Sequence, residues 1–215
     1  MFKLCVFDMD GTVVDSVADI AAAMNRSLAT LGYKTYKTEA YCHLAGNGME
    51  VLCRRAIPGC TEEEVQKLIS LYKEDYLANC CVDSAVYDGV IELLQDLKEK
   101  GMIRVVLSNK PHDQVLGVAK KLFTSDSFDE IMGYTPKFPT KPAPDSLFYL
   151  MEKYGVEKSE TVFIGDSNVD IQLGKNAGVY TIGVFWGFRG RQELEEAGAD
   201  CVADNMEELK KFLKI

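Results

Sequence analysis

Two aspartates separated by one residue follow the first apolar run of the chain. Asp8 and Asp10 come directly after Leu4–Phe7, which reads LCVF. Residues two apart in a strand point to the same side, so both carboxylates are predicted to share one face. Neighbouring carboxylates repel unless a cation lies between them, and Mg²⁺ prefers such oxygen ligands. A carboxylate can also attack phosphorus. Two aspartates at this spacing, taken alone, more often cap a turn, so further residues must support the chemistry.

Polar residues of complementary types stand at or beside the ends of later predicted strands. They are Ser108, Asn109, Lys141, Asp166 and Asp170. The hydroxyl and the amide suit phosphoryl oxygens, the lysine supplies positive charge, and the two aspartates add carboxylates. Each alone has a local reason to occur in a turn. Together they favour a single ligand site, because open α/β sheets bind ligands outside the carboxyl ends of their strands.

The charges of such a site predict a metal requirement. Four ionised aspartates and a phosphate dianion carry six negative charges, whereas Lys141 and one Mg²⁺ supply three positive ones. At about 4 Å and an effective dielectric constant near 20, each unit pair contributes about 4 kcal/mol. We therefore expect activity to depend on a divalent cation, and at least one carboxylate to hold a proton.

The elements that must position these residues alternate along most of the chain. Apolar runs at 4–7, 103–107, 131–132, 161–164, 180–185 and 201–202 are separated by helical patterns, which is typical of a parallel sheet covered on both faces. We therefore predict an α/β fold with a doubly wound parallel sheet. Residues 16–82 instead show only helical patterns, with capping boxes predicted at Ser16 with Asp19 and at Thr61 with Glu64. The predicted domains are an α/β core of residues 1–15 and 83–215 and an inserted helical unit of residues 16–82.

Composition limits the classes of function. The 215 residues are 47% hydrophobic and carry a net charge of −9, which argues against general binding of nucleic acid or of anionic membranes. No apolar run approaches the roughly 20 residues of a membrane span, and the first residues do not resemble a signal peptide. Seven cysteines without a CxxC pair favour a reducing, cytoplasmic setting. The expected partner is a small phosphorylated metabolite, and the expected assembly is a monomer or homodimer.

Taken in order, DMDGTVVDS, Ser108 after a strand, Lys141 in KPAPD, and GDSNVD resemble the motifs of the haloacid dehalogenase superfamily of phosphohydrolases. The helical unit looks like the C1 cap of that superfamily. The resemblance implies that Asp8 is the nucleophile and a Mg²⁺ ligand. It also implies that Asp10 is the general acid/base and contacts the metal through its backbone carbonyl. Because haloacid dehalogenases themselves lack the second aspartate, the resemblance implies a phosphatase.

The same resemblance assigns the remaining motif residues. Ser108 and Lys141 would hold and neutralise the transferring phosphoryl group. Asp166 would bind Mg²⁺, and Asp170 would support the metal site.

Within the superfamily, the sequence SNKP at 108–111, a Gly-Asn-Gly turn and the overall size are similar to phosphoglycolate phosphatases. The turn, Gly46, Asn47 and Gly48, is the candidate loop of the helical unit that faces the substrate. Arg54 or Arg55 could meet a substrate carboxylate, although solvated arginines are the commoner finding on an exposed helix face.

Three alternatives to a phosphoglycolate phosphatase-like enzyme remain open from the sequence. A β-phosphoglucomutase-like phosphomutase and a pyrophosphatase would share the core residues and differ in the cap. A receiver-type regulatory domain also clusters Asp, Ser or Thr and Lys on a doubly wound sheet. A receiver is shorter, however, and takes its phosphate on an aspartate that follows a later strand.

Overall fold

The structure is a computed structural model and describes residues 1–215 without a gap. The strands are β1 (Leu4–Phe7), β2 (Val14–Asp15), β3 (Ala85–Val86), β4 (Ile103–Pro111), β5 (Glu130–Tyr134), β6 (Thr161–Gly165), β7 (Tyr180–Val184) and β8 (Cys201–Ala203). The α-helices are α1 (Val17–Thr30), α2 (Tyr41–Leu44), α3 (Met49–Ala56), α4 (Glu62–Asn79), α5 (Val90–Glu99), α6 (His112–Leu122), α7 (Asp145–Tyr154), α8 (Asn168–Ala177), α9 (Arg191–Glu196) and α10 (Met206–Leu213).

Six strands form one parallel sheet in the order β5-β4-β1-β6-β7-β8. The chain passes from β1 to β4 and β5 on one side, then crosses back to β6, β7 and β8 on the other. The strand order therefore reverses around β1, and ligands bind at such a point in open α/β sheets. This topology confirms the predicted doubly wound α/β fold.

The two faces of the sheet bury alternate residues of β1. Cys5 and Phe7 belong to a buried cluster that includes residues of α5, α6 and α10, whereas Leu4 and Val6 belong to a second cluster with α7 and α8. All four side chains are at most 1% exposed. A strand with helices on both sides needs apolar residues at every position, which explains the uninterrupted LCVF run.

Helices α1 to α4 form the helical segment between β2 and β3. Their buried apolar residues, among them Met24, Leu52, Leu68 and Tyr72, are continuous with the face of the sheet that buries Phe7. The helical segment thus shares one apolar cluster with the sheet in this structure. The division into a core and a cap stays a prediction.

Strands β2 and β3 connect the helical segment to the sheet and pair with each other in antiparallel fashion. They fall at the predicted junctions, but two-residue strands are too short to show any periodicity in the sequence. Beside them, the Asp19 carboxylate accepts a hydrogen bond from the Ser84 backbone N–H at 2.8 Å and another from the Ser84 hydroxyl. This contact ties the first turn of α1 to the returning chain.

One of the two predicted capping boxes forms. Thr61 accepts from the Glu64 backbone N–H at 3.4 Å and Glu64 accepts from the Thr61 backbone N–H at 2.8 Å, as predicted. Ser16 makes no such cap: Asp19 is turned toward Ser84, and the Ser16 hydroxyl donates elsewhere. The sequence pattern was wrong here because tertiary partners outcompete a local cap.

Candidate active site

Asp8 and Asp10 stand at the carboxyl end of β1, as predicted. The Asp8 backbone N–H still donates to the Ile164 carbonyl at 2.9 Å, so the first aspartate is held by the sheet ladder. The chain then turns at Gly11, which has a φ of +85°, and a Cβ there would lie 2.3 Å from Asp166 Oδ2. Only glycine combines this backbone conformation with so close an approach.

Three carboxylates, those of Asp8, Asp166 and Asp170, converge beside β1. One oxygen from each lies within 4.8 Å of the others. Lys141 is the cation in contact with the cluster, with Nζ 2.8 Å from both Asp8 Oδ1 and Asp170 Oδ1. The structure thus brings together residues from three places in the chain, as the motifs predict.

Burial and mutual repulsion perturb the ionisation of the cluster. Burial, offset in part by Lys141, raises the pKa of Asp8 to about 6. Burial and the charges of Asp170 and Asp8 raise the pKa of Asp166 well above its ordinary range. Burial opposes the charge of Lys141, but the two carboxylates it contacts raise its pKa overall. The cluster therefore lacks positive charge.

The donor set fits a divalent cation. Asp8 Oδ1 is buried and receives no hydrogen bond of acceptable angle, although the Lys141 ammonium lies 2.8 Å away. Asp166, in contrast, is held by the Phe188 backbone N–H at 2.8 Å and the Thr12 hydroxyl at 3.2 Å. Three oriented carboxylates, one of them with a buried oxygen that no N–H or O–H is aligned to satisfy, offer the oxygen ligands that a hard cation such as Mg²⁺ prefers.

The side chain of Asp10 does not belong to this cluster. Its carboxylate accepts two contacts from Lys110 Nζ, at 2.7 and 2.9 Å, and a 2.5 Å hydrogen bond from the Ser16 hydroxyl. The assignment of Asp10 as a metal ligand rested on its backbone carbonyl, and it stays a prediction. Its carboxylate is instead anchored where it lines the same cavity as Asp8.

Ser108 and Asn109 have different surroundings. Strand β4 extends beyond the predicted end, so both residues lie within it. Ser108 lines the cavity beside Asp8. The Asn109 amide donates to the carbonyls of Lys141, at 3.1 Å, and Gly46, at 3.2 Å, and accepts from the Lys141 N–H at 2.7 Å. Asn109 therefore has no side-chain donor left for a phosphoryl oxygen and instead positions Lys141.

The cavity lies between the sheet and the helical segment. Gly46 and Gly48 line it, as does Arg189 from the loop after β7, whereas Asn47 does not. Arg189 donates to the carbonyls of His43 and Ala45, at 3.3 and 3.2 Å, and also meets His43 Nδ1. These contacts fasten the predicted substrate-facing loop to the sheet unit.

Neither arginine suggested for a substrate carboxylate lines this cavity. Arg54 pairs with Glu50 and Glu62 at the surface. Arg55 donates to backbone carbonyls of α2. The reading of both as surface residues is the one the geometry favours.

A family model described as haloacid dehalogenase-like hydrolase matches residues 5–184 of the chain. The chain belongs to this family. The match spans β1 through β7 and includes every motif residue named above, so the predicted superfamily is confirmed.

Relatives of the chain carry names from the same family. It is 34% identical over 220 residues to the phosphoglycolate phosphatase of Haemophilus influenzae, covering 99% of this chain and 98% of that protein. It is 32% identical to the phosphoglycolate phosphatase of Pseudomonas putida, covering 96% and 78%. The crystal structure of a predicted phosphoglycolate phosphatase from Haemophilus somnus superposes with a TM-score of 0.92 at 30% identity, covering 99% and 98%. The predicted enzyme class, phosphoric monoester hydrolase, is thereby confirmed and favoured over a receiver-type domain.

Several residues of this hydrolase site escaped the sequence reasoning. They are Thr12, Ser16, Lys110, Gln114, Phe188 and Arg189. Lys110 and Gln114 follow Ser108 within one strand end and helix start, so position along the chain could have suggested them. The loop after β7 carries no motif, and only the strand order shows that it returns to β1.

No helix of the structure is both long enough and apolar enough to cross a membrane.

Proposed function

We propose that the protein is a Mg²⁺-dependent phosphatase of small phosphomonoesters, most similar in substrate to phosphoglycolate phosphatases, that acts through an aspartyl-phosphate. One observation carries the proposal: Asp8, which is paired with Lys141, lines the same cavity as Asp10. A nucleophile held against a fixed positive charge and a second carboxylate for proton transfer then face one small volume. The names of the relatives support phosphoglycolate as the first substrate to test.

The first step is an in-line attack by an Asp8 carboxylate oxygen on phosphorus. The bond from phosphorus to the ester oxygen breaks, and the leaving alkoxide takes a proton from Asp10. Lys141 keeps Asp8 ionised for attack and offsets charge on the phosphoryl group. Asp8 is 7% exposed, so the reaction would proceed away from bulk water.

The second step returns the enzyme to its starting state. Asp10 now accepts a proton from a water molecule, whose oxygen attacks phosphorus and releases inorganic phosphate from Asp8. Lys110 and Ser16 hold the Asp10 carboxylate in place through both steps.

Asp8 and Asp166 would hold Mg²⁺, with Asp10 contributing through its backbone carbonyl and Asp170 supporting the site, as the family resemblance implies. When bound, the cation would supply the positive charge that the carboxylate cluster lacks and would orient a phosphoryl oxygen.

The helical segment would act as a cap that closes over the substrate. Gly46 and Gly48 of this segment line the same cavity as Asp8, and the Gly46 carbonyl accepts from the Asn109 amide at 3.2 Å. Breaking this contact would widen the cavity for a phosphomonoester. Closure would then exclude water from the reacting atoms.

The direct test replaces the nucleophile. Asp8→Asn should lower kcat for phosphoglycolate and for para-nitrophenyl phosphate by at least about 10⁴-fold, because the amide cannot form the phosphoenzyme. Asp126→Asn, which alters an exposed carboxylate paired with Lys98, serves as the matched control. Turnover by Asp8→Asn close to that of the control would refute the mechanism. Assays of wild-type protein with β-glucose 1-phosphate and with pyrophosphate distinguish the proposed phosphatase activity from the phosphomutase and pyrophosphatase alternatives.

A further inference from the structure

Gln114, in the first turn of α6, is an unusual constituent of the cavity wall. Its side chain is 1% exposed, and neither its amide nitrogen nor its amide oxygen has a hydrogen-bond partner. Leaving one buried polar atom unpaired costs about 1–3 kcal/mol. Such a residue is expected to be satisfied by something that enters the cavity it lines.

The positive charge nearest along the chain is Lys110, which lines the same cavity. Its side chain is buried over the Tyr76 ring, with Nζ 4.5 Å from the ring centroid. Asp10 accepts two contacts from this ammonium, which has three N–H bonds to donate.

The cavity is lined by charges of both signs. Asp8, Asp10 and Asp166 supply the negative charge, and Lys110 and Arg189 supply the positive charge. The donors of Arg189 are directed to His43 and Ala45 of the helical segment. Lys110 and Gln114 thus keep donors for a second anionic group of the substrate.

We propose that Lys110 and Gln114 form a subsite for a carboxylate that the substrate carries one carbon away from its phosphate ester. The Gln114 amide turns into the cavity by rotation of its side chain and donates to one carboxylate oxygen, while Lys110 donates to the other. This inference rests on the proposed phosphatase function and deepens it, because it names the acid group as the feature that the enzyme selects. It assigns that role to α6 and β4, not to the arginines of α3.

The test compares two esters that differ only at this group. Phosphoglycolate and ethyl phosphate share the phosphate and the first carbon, and differ in having a carboxylate or a methyl beyond it. The measured quantity is the ratio of their kcat/KM values. We expect wild-type protein to favour phosphoglycolate and Gln114→Met to lower this ratio at least about tenfold, since one hydrogen bond to a charged group is lost. Gln66→Met, the same change on the exposed face of α4, should leave the ratio at its wild-type value.

A second variant keeps the size of the side chain and reverses its preference. Gln114→Glu should lower the ratio further than Gln114→Met, because two carboxylates then face each other. It should also raise kcat/KM for phosphoethanolamine relative to ethyl phosphate, because the ammonium of that ester occupies the position of the carboxylate. Thermal melting of each variant establishes that it is folded before the ratios are compared.

The outcomes separate this inference from the proposed function. If Gln114→Met lowers kcat/KM for both esters equally, or Gln114→Glu leaves both ratios at their wild-type values, the subsite is wrong and the phosphatase assignment stands. If wild-type protein has the same kcat/KM for ethyl phosphate as for phosphoglycolate, the proposed selection of the carboxylate is likewise wrong. If wild-type protein hydrolyses neither ester, the proposed function fails and the subsite fails with it.

Discussion

Replacing Asp166 by asparagine should stabilise the metal-free protein at neutral pH. Asp166 is buried beside Asp8 and Asp170, and burial together with these like charges raises its pKa. Asparagine has nearly the same shape and no charge. Its oxygen can accept from the Phe188 backbone N–H, and its amide can donate to the Thr12 hydroxyl. The substitution therefore removes a buried charge and keeps both of these contacts.

The size of the effect follows from the ionisation of the cluster. Burial and the charges of Asp170 and Asp8 raise the pKa of Asp166 well above its ordinary 3.8, and each unit of such a shift corresponds to about 1.4 kcal/mol. Above about pH 4 the folded state therefore holds a proton on Asp166 that the unfolded state has released. The free energy of unfolding of wild type falls as the pH rises through this window, and asparagine removes that loss.

Urea unfolding with a metal chelator present, at a series of pH values, measures the prediction. The free energy of unfolding of wild type is subtracted from that of Asp166→Asn at each pH. The contributions of most other titratable groups cancel in this difference. It should be small near pH 4 and grow as the pH is raised to neutral, to about 1–3 kcal/mol in favour of the variant. Excess Mg²⁺ should stabilise wild type by about 2.7 kcal/mol at a hundred times its Kd, and the variant by much less.

Asp126→Asn is again the control. The Asp126 carboxylate is exposed and paired only with an exposed lysine, so that water can solvate both groups when the pair is lost. Parallel pH profiles for Asp166→Asn and wild type would refute the claim that repulsion within the cluster destabilises the fold. Equal stabilisation of both proteins by Mg²⁺ would remove Asp166 from the metal site.

Two smaller predictions concern the helical segment. Thr61→Ala should lower the free energy of unfolding, measured in urea, by about 1 kcal/mol because the capping box is lost. The kcat should be unchanged, and a change in kcat would contradict the purely local role of this cap. Arg189→Leu should speed amide hydrogen exchange in residues 43–48 by about tenfold or more, because hydrogen bonds from a charged group to this loop are lost. Arg191→Leu, whose partners Glu195 and Asp204 lie outside the helical segment, is the control, and equal exchange in both variants would show that Arg189 does not fasten the loop.

The sheet could be predicted from sequence because its central strand is apolar at every position and ends abruptly in charge. Asp8 and Asp166 could be placed together because parallel strands present their carboxyl ends at one edge, whereas Lys141 lies in the loop between β5 and α7. These predictions needed only the order of strands and helices. They did not need to say which side chain meets which.

What the sequence could not supply is the choice among polar partners. Asp19 could cap α1 or reach across to Ser84, and Asn109 could face a phosphoryl oxygen or the backbone of Lys141. Local spacing cannot decide between a near partner and one that is distant along the chain. The return of Arg189 to the helical segment depends on the path of the loop after β7, which no periodic pattern describes.

The antiparallel pairing of Val14–Asp15 with Ala85–Val86 places the departure and the return of the helical segment side by side. A segment with adjacent ends can be exchanged for another of different length or shape while the order and register of the sheet strands are kept. The apolar residues it shares with the Phe7 face set the condition for such an exchange. Any replacement must cover this face with apolar residues of its own. The sheet unit alone would expose a hydrophobic patch to water and would self-associate.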